Sequence, residues 1–249
     1  MPSPHNFSLL PSSELNSHPY YGWLELTLNT TQFYELRSIL SGIPRPWLEW
    51  VDKQVDNYAQ RGNNVRNPLQ YRLSILWNGI ILLQEGKFIG DMIENALRRS
   101  FIDFTNIHKL SFSDLLVPEW NAKKFDSILP DYPKSQSDFI AEHFTFYQLY
   151  GTFQENWHSP RYNNTMKEGF GVIFRNKKRL DLPQFQNDMK SIKQIRNDIA
   201  HSRRLFRPDE VRNLYMVAHK WLTPLGVNLA ERVKGYRQQR PKFLQDLKL

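Results

Sequence analysis

Between Pro68 and Phe104 apolar residues return every three or four positions. Leu73, Leu76, Ile80 and Leu83 form one stripe, and Ile89, Ile93, Leu97 and Phe101 form another. That spacing puts each set on one side of a 3.6-residue turn, so it predicts one long helix or two in tandem. Gly86 and Gly90 bracket a candidate kink. The same period recurs elsewhere. A short helix is expected at about 31–41, from a cap-like Thr to a Gly. Another is expected over 46–62, with Pro46 in its first turn and Gly62 as its stop. An aromatic-rich helix is expected at 136–150 and a further one at 183–201, where Phe185, Met189, Ile192, Ile195 and Ile199 keep helical spacing. The last main helix is expected to start at Asp209 as its cap and to kink or end at Pro224.

The chain shows little strand-like alternation. "YYGWLELTL" (20–28) reads as a short strand or a packing segment. Residues 1–20 read as an extended arm. Between 105 and 135, Pro118, Pro130 and Pro133 break the chain into loops around short helices at 112–117 and 120–128. The expected class is all-α, with an extended N-terminal arm and a basic C-terminal tail.

With 249 residues, 40% of them hydrophobic, the chain is long enough to bury a core. It has no cysteine, which excludes disulfides and thiolate metal sites. The longest apolar run, LSILWNGIILL, is interrupted by Asn78 and Gly79 and has about half the ~20 residues needed to span a bilayer. The first residues carry no signal-like basic and apolar segments. A cytoplasmic protein with no membrane partner is the expectation.

The net charge is +8, and it is unevenly placed. From Arg161 onward there are 20 Lys+Arg against 8 Asp+Glu, a net of +12. The remainder holds 13 against 17, a net of −4. A basic C-terminal third suits a polyanion, because each neutralised phosphate releases counterions. The alternative is a solvated face that keeps the chain soluble.

Within that third lies "SIKQIRNDIAHSRRLFRP" (191–208). On a helical wheel Arg196 falls on the apolar stripe between Ile192 and Ile199, where a guanidinium is costly unless paired or facing a cleft. His201 lies five residues on, about 140° round the helix. Asn197 and His201 share a face. Arg196 and His201 therefore converge only if the helix ends near Ala200 and the histidine swings back, or if a second copy supplies the missing half. Histidine moves protons near neutrality, arginine forks onto phosphate, and asparagine orients either or binds a ribose hydroxyl. Together they suit attack of an RNA 2′-OH on its own phosphate, with no metal. The seven histidines form no H-x-x-x-H or H-E-x-x-H ligand spacing. The plainer reading is a helix end at which His201 complements the dipole. A second pair, Arg212 and His219, lies almost on one helix face, and the Arg-Asn dipeptide also occurs at Arg66 and Arg175.

The fuller string "IRNDIAHSRRLF" resembles the R-N-x-x-x-H motif of HEPN domains, most of all the Abi-like (abortive infection, AbiD/AbiF-type) branch. The matching residues are Arg196, Asn197, Ala200, His201, Ser202, Arg203 or Arg204, Leu205 and Phe206. Upstream, "MIENALRRSF" resembles that family's I-E-x-x-L-R helix through Ile93, Glu94, Leu97 and Arg98, and "HFTFYQLYGTF" resembles its aromatic-Gly segment. The resemblance covers roughly 68–220. It implies a helical bundle at 68–235, preceded by an arm and accessory helices at 1–67 and followed by a basic tail at 236–249. It also implies dimerisation through the motif helices and a metal-independent endoribonuclease that leaves 2′,3′-cyclic phosphate and 5′-OH ends. Such proteins act in phage defence or as toxins, some with a structured non-coding RNA that restrains them. No cofactor is implied.

The resemblance offers Glu94 and Arg98 a supporting role, either paired with each other or with Glu94 holding Arg196. The alternative is a surface ion pair of little worth. For an RNA track the candidates are Arg175, Lys177, Lys178 and Arg179, then Arg203, Arg204 and Arg207, then Arg232, Lys234, Arg237, Arg240 and Lys242, with Tyr236 to stack on a base. Two competitors stand beside the enzyme: a catalytically inactive RNA-binding scaffold of the same fold, and a helical module whose basic face binds an acidic protein. A catalytic motif predicts a helix ending at about His201 and a groove shared with a second chain. A mere cap predicts Arg196 tied up internally and His201 facing solvent.

Overall fold

A computed structural model describes residues 23, 34, 36–38, 40–63, 68–110, 117, 135–157, 182–201 and 203–239. Seven α-helices and one 3-10 turn have both ends among them, further helical residues stand at 23, 34, 36–38 and 40, and no strand occurs among the described residues. The helices are α1 (Arg45–Gln60), α2 (Pro68–Ile107), α3 (Gln136–His143), α4 (Phe146–Asn156), α5 (Leu182–Ala200), α6 (Pro208–Leu222) and α7 (Leu229–Gln239), with the 3-10 turn at Thr223–Leu225. The all-α expectation holds for these residues. The expected helix at 120–128, all but Val117 of that at 112–117, most of "YYGWLELTL" and the basic cluster at 175–179 lie outside them.

The described residues divide into two compact units. One holds those up to Gln84 together with those in Asp198–Pro208. The other holds those in Glu85–Asn197 and Asp209–Arg240.

In the first unit α1 starts with Pro46 in its first turn and ends where Gly62 takes a φ of 79° and its N–H bonds Ala59 O at 2.9 Å. Leu48, Val51 and Val55 are its buried face. Trp23, from the segment expected to be a strand or packing piece, is buried and helical. Its indole donates to Asp52 at 2.9 Å, and Asp52 also takes Arg72 Nε at 2.8 Å. Leu205 and Phe206, just past the motif, are buried in this unit as well. Leu205 packs directly on Gly79. A Cβ at that position would sit 2.8 Å from Leu205 Cδ1, so the glycine that interrupts LSILWNGIILL is there to let the chain past.

Helix α2 runs unbroken for 40 residues, which settles the choice between one helix and two. Gly86 and Gly90 are buried within it rather than ending it. Its C-terminus is closed by Leu110 N–H on Thr105 O at 2.9 Å, with Lys109 in the left-handed region at φ 50°.

In the second unit the single helix expected at 136–150 is two. Ser135 and Thr145 each make a reciprocal capping box, with Asp138 and Gln148, so α3 stops at His143 and α4 begins at Phe146. The helical spacing of the aromatics runs through the break and conceals it. Phe101, Phe104, Phe139, Phe144 and Phe153 then meet in one cluster, all at most 2% exposed. Helix α6 begins at Pro208, so Asp209 lies in its first turn rather than at its cap. It ends at Leu222, before Pro224, and Gly226 at φ 77° turns the chain into α7. Thus part of the stretch expected to be a tail is helix.

Helix α5 is pinned to α6 by Asp188. Buried, it accepts from Gln184 at 2.8 Å, from Lys220 at 2.7 Å and at 2.7 Å from Nε1 of Trp221, whose ring meets Phe185 edge to face at 5.1 Å. Asp188→Ala is expected to strand the buried indole N–H and to cost about 3 kcal/mol. Urea unfolding checks this. A loss under about 0.5 kcal/mol, the size of an ordinary surface change, shows that the anchor is not structural.

Candidate functional site

The stripe of α5 that buries Phe185, Met189 and Ile192 reaches Arg196 one turn later. The guanidinium is not left alone there. Its Nη2 pairs with Glu94 of α2 and lies 3.9 Å from Asp91. Glu94 also takes Arg98 Nη2 at 2.5 Å, so one carboxylate holds two arginines. Arg98 in turn donates through Nη1 to the carbonyls of Ile140 at 2.7 Å and Ala141 at 3.1 Å, in the last turn of α3. The side chains of Arg98 and Glu94 are only 17% and 15% exposed, so this is no surface ion pair. Both alternatives raised for Glu94 occur together.

Two further features fit Arg196 to its place. Its aliphatic stem lies over Gly90, where a Cβ would come within 3.0 Å of Arg196 Cγ. Its guanidinium stands 5.2 Å from the Phe146 ring, and one turn back Lys193 stands 4.0 Å over Tyr147. Gly90 and Glu94, four apart on α2, thus form a floor and a stop for one arginine. Among the described residues only Nη2 of Arg196 meets a carboxylate. Among the described residues Nε and Nη1 make no hydrogen bond, and the side chain is 28% exposed.

Asn197 follows on the same helix and is exposed. The helix ends at Ala200. His201 is the first residue after it, exposed, and its ring makes no hydrogen bond among the described residues. The helix therefore ends where both readings of the motif require. Arg196 is tied to carboxylates and His201 faces solvent, the two features expected of a helix end.

In the other unit Asp198 closes that end. Its carbonyl accepts Arg203 N–H at 3.1 Å, and its buried carboxylate lies 3.8 Å from Arg203 and 3.4 Å from Arg204. Arg204 also stands 4.9 Å from the Phe206 ring. Arg203 keeps 59% of its side chain exposed, and Arg207 is exposed.

Of the remaining candidates, Arg237 commits Nε and Nη2 to Glu85, a carboxylate only 4% exposed, at 3.0 and 2.6 Å. Those hydrogen bonds raise its pKa above the ordinary arginine value. Arg232 and Lys234 are exposed on α7. Arg175, Lys177, Lys178, Arg179, Arg240 and Lys242 lie outside the described residues, as does Arg66. Arg212 and His219 are both exposed on α6, and His219 stacks on Tyr215 and meets Thr223 at 3.3 Å, so nothing draws that pair together. Among the described residues no group of three His, Asp or Glu could hold a metal ion, and no helix is long and apolar enough to cross a membrane.

Sequence reasoning missed Gly90, Asp91, Asp188 and Asp198 as site-building residues. For Gly90 the signal was present: a glycine four residues before Glu94, on one helix face, in a helix that does not break. Comparison with known proteins finds no matching family model, no similar curated protein and no similar solved structure.

Glu94→Ala is expected to leave two partly buried guanidiniums without their carboxylate and to cost about 3 kcal/mol. A double-mutant cycle of Glu94→Ala with Arg196→Ala should return a coupling of about 1–3 kcal/mol. Additive losses in chemical denaturation show that the two residues do not depend on each other.

Proposed function

We propose that this chain is a metal-independent endoribonuclease of HEPN type, acting in phage defence or as an RNA toxin in the cytoplasm, bound to and restrained by a structured RNA. One observation carries the reading. Arg196 is held by Glu94 through Nη2 and, among the described residues, makes no hydrogen bond through Nε or Nη1, so it keeps donors for a phosphate, although its ion pair and the exposed His201 are equally what a plain helix end gives. An arginine fixed from one side and open on the other can take a phosphate oxygen. A solvent-open histidine can take the 2′-OH proton and return one to the 5′ leaving oxygen. Attack of the 2′-oxygen on its own phosphorus forms the cyclic phosphate and breaks the P–O5′ bond, with Arg196 stabilising the added charge. Asn197 orients the phosphate or ribose. Two copies paired through the α5 helices would place two such motifs together. The basic charge of the C-terminal third and the resemblance of 196–206 to the R-N-x-x-x-H motif support the same reading.

A second reading is an RNA-binding scaffold without turnover. The ion pair itself favours it, because Glu94 offsets part of the positive charge that Arg196 would offer a phosphate.

Incubation with RNA at neutral pH in EDTA separates the two. The enzyme is expected to give 2′,3′-cyclic phosphate and 5′-OH ends. His201→Ala should lower the rate at least about a hundredfold, the usual share of a general acid–base. Arg196→Ala should do the same with folding retained. Cleavage that needs a divalent ion, or equal cleavage by wild type and His201→Ala, overturns the mechanism. Salt-sensitive RNA binding with no product selects the scaffold.

A further inference from the structure

Helix α7 has two faces of different character. Leu229 and Val233 are buried, and Tyr236 stacks on Phe88 of α2 with ring centroids 4.5 Å apart and planes 13° from parallel. Arg237 clamps the same end of the helix to Glu85. Asn228, Glu231, Arg232 and Gly235 recur at three- and four-residue spacing on another side. They line an open cleft of about 580 Å³, with the Phe88–Tyr236 pair as its aromatic wall. That volume lies within the range of about 300–1,000 Å³ that small-ligand sites occupy.

Gly235 is what makes the cleft informative. It sits inside the helix, where glycine costs about 1 kcal/mol against alanine. The other helical glycines of known surroundings are accounted for by close neighbours, Leu205 at Gly79 and Arg196 at Gly90. Above Gly235 a Cβ would meet nothing within 4 Å. Folding gains nothing visible from its missing side chain, whereas a flat ligand approaching the helix backbone would.

We propose that this cleft binds one unstacked nucleotide, with its base against the Phe88–Tyr236 wall over Gly235 and its phosphate on Arg232. The wall supplies a rigid ring surface, held in place by its own stack and by the Glu85–Arg237 clamp. Arg232 is exposed and pairs with no carboxylate among the described residues. The Oδ1 of Asn228 already accepts Glu231 N–H at 3.2 Å as a helix cap, which leaves its amide N–H₂ to donate to a base. The Glu231 carboxylate accepts from base amino and imino groups. Guanine, which presents N1–H and N2–H₂ side by side, is therefore the base favoured. The inference rests on the RNA reading above for the source of the nucleotide, a guide or substrate strand, but not for its chemistry.

The test uses the full-length chain and Gly235→Leu, a substitution that fills the cleft while improving helix propensity, with circular dichroism to verify folding. Calorimetry with GMP, AMP, CMP and UMP reads the cleft alone. Photocrosslinking of 6-thioguanosine-substituted single-stranded RNA, followed by peptide mapping, reads the strand. GMP is expected to bind best, and Gly235→Leu and Arg232→Ala should each weaken it about tenfold, the scale of one lost base stack or one phosphate contact. Crosslinks are expected at the peptide holding Tyr236 and should be lost in Gly235→Leu. Mononucleotide binding that is lost in Gly235→Leu, without any RNA binding, supports the cleft and removes the RNA reading. RNA that binds both proteins equally, with crosslinks elsewhere, overturns the cleft and leaves the RNA reading standing. Binding of neither overturns both.

Discussion

The Glu94 carboxylate is the point on which the described site depends. An arginine on the buried stripe of α5 would be intolerable in isolation, because desolvating a guanidinium costs several kcal/mol. Glu94 removes that cost for Arg196 and at the same time orders Arg98, whose other amino group closes the last turn of α3. One anion thus ties together α2, α3 and α5. Gly90 is the steric counterpart. Without a side chain there, the stem of Arg196 lies flat on α2 and its head reaches the carboxylate. Deep burial would make such a trio costly. The side chains of the trio are between 15% and 28% exposed, so each keeps part of its hydration.

The same clamp bears on chemistry in two opposing ways. Pinning one edge of the guanidinium removes much of the rotamer freedom that a long side chain would lose on meeting a phosphate. It also neutralises part of the charge. What decides between orientation and attenuation is whether the N–H groups left unpaired among the described residues point at a ligand when one arrives, since a fork can hold a carboxylate on one edge and a phosphate on the other. His201 carries no such constraint. It follows the helix end directly, and Asp198 fixes the chain just beyond it through Arg203 and Arg204.

Much of this was legible in the residues and some was not, for identifiable reasons. The helices were legible because apolar spacing reports burial directly, and α2 and α5 follow it closely. The misfit of Arg196 was legible for the same reason: a cation on an apolar stripe demands a partner. The partner was not uniquely legible, because Glu94 is equally well placed for Arg98 four residues on, and a wheel cannot show that one carboxylate serves both. The break between α3 and α4 was written in Thr145 and Gln148, yet the aromatic period running across it reads as one helix. Asp188 gave no warning, since a polar residue between apolar ones reads as the wet face until Trp221 and Lys220 arrive from more than thirty residues away.

Charge counted along the chain says least about which arginines are open to a ligand. Counted along the chain, the basic third is one reservoir of arginines for a polyanion. In the fold the reservoir is sorted by burial. Arg204 sits with the largely buried Asp198, Arg237 with the buried Glu85, and Arg196 with Glu94. Each of those carboxylates is less than one-sixth exposed, so each arginine is first a solution to a desolvation problem. Arg232 and Lys234 remain outward on α7, beside an aromatic pair and a glycine that nothing fills. A polyanion responds to the summed field at long range, where paired and unpaired arginines differ little in position but greatly in net charge. At contact it responds to donors that are not already spoken for. Among the described residues, groups such as those of Arg196, Arg232 and Lys234 that keep donors open therefore say more about where a phosphate would rest than the formal charge of the whole third.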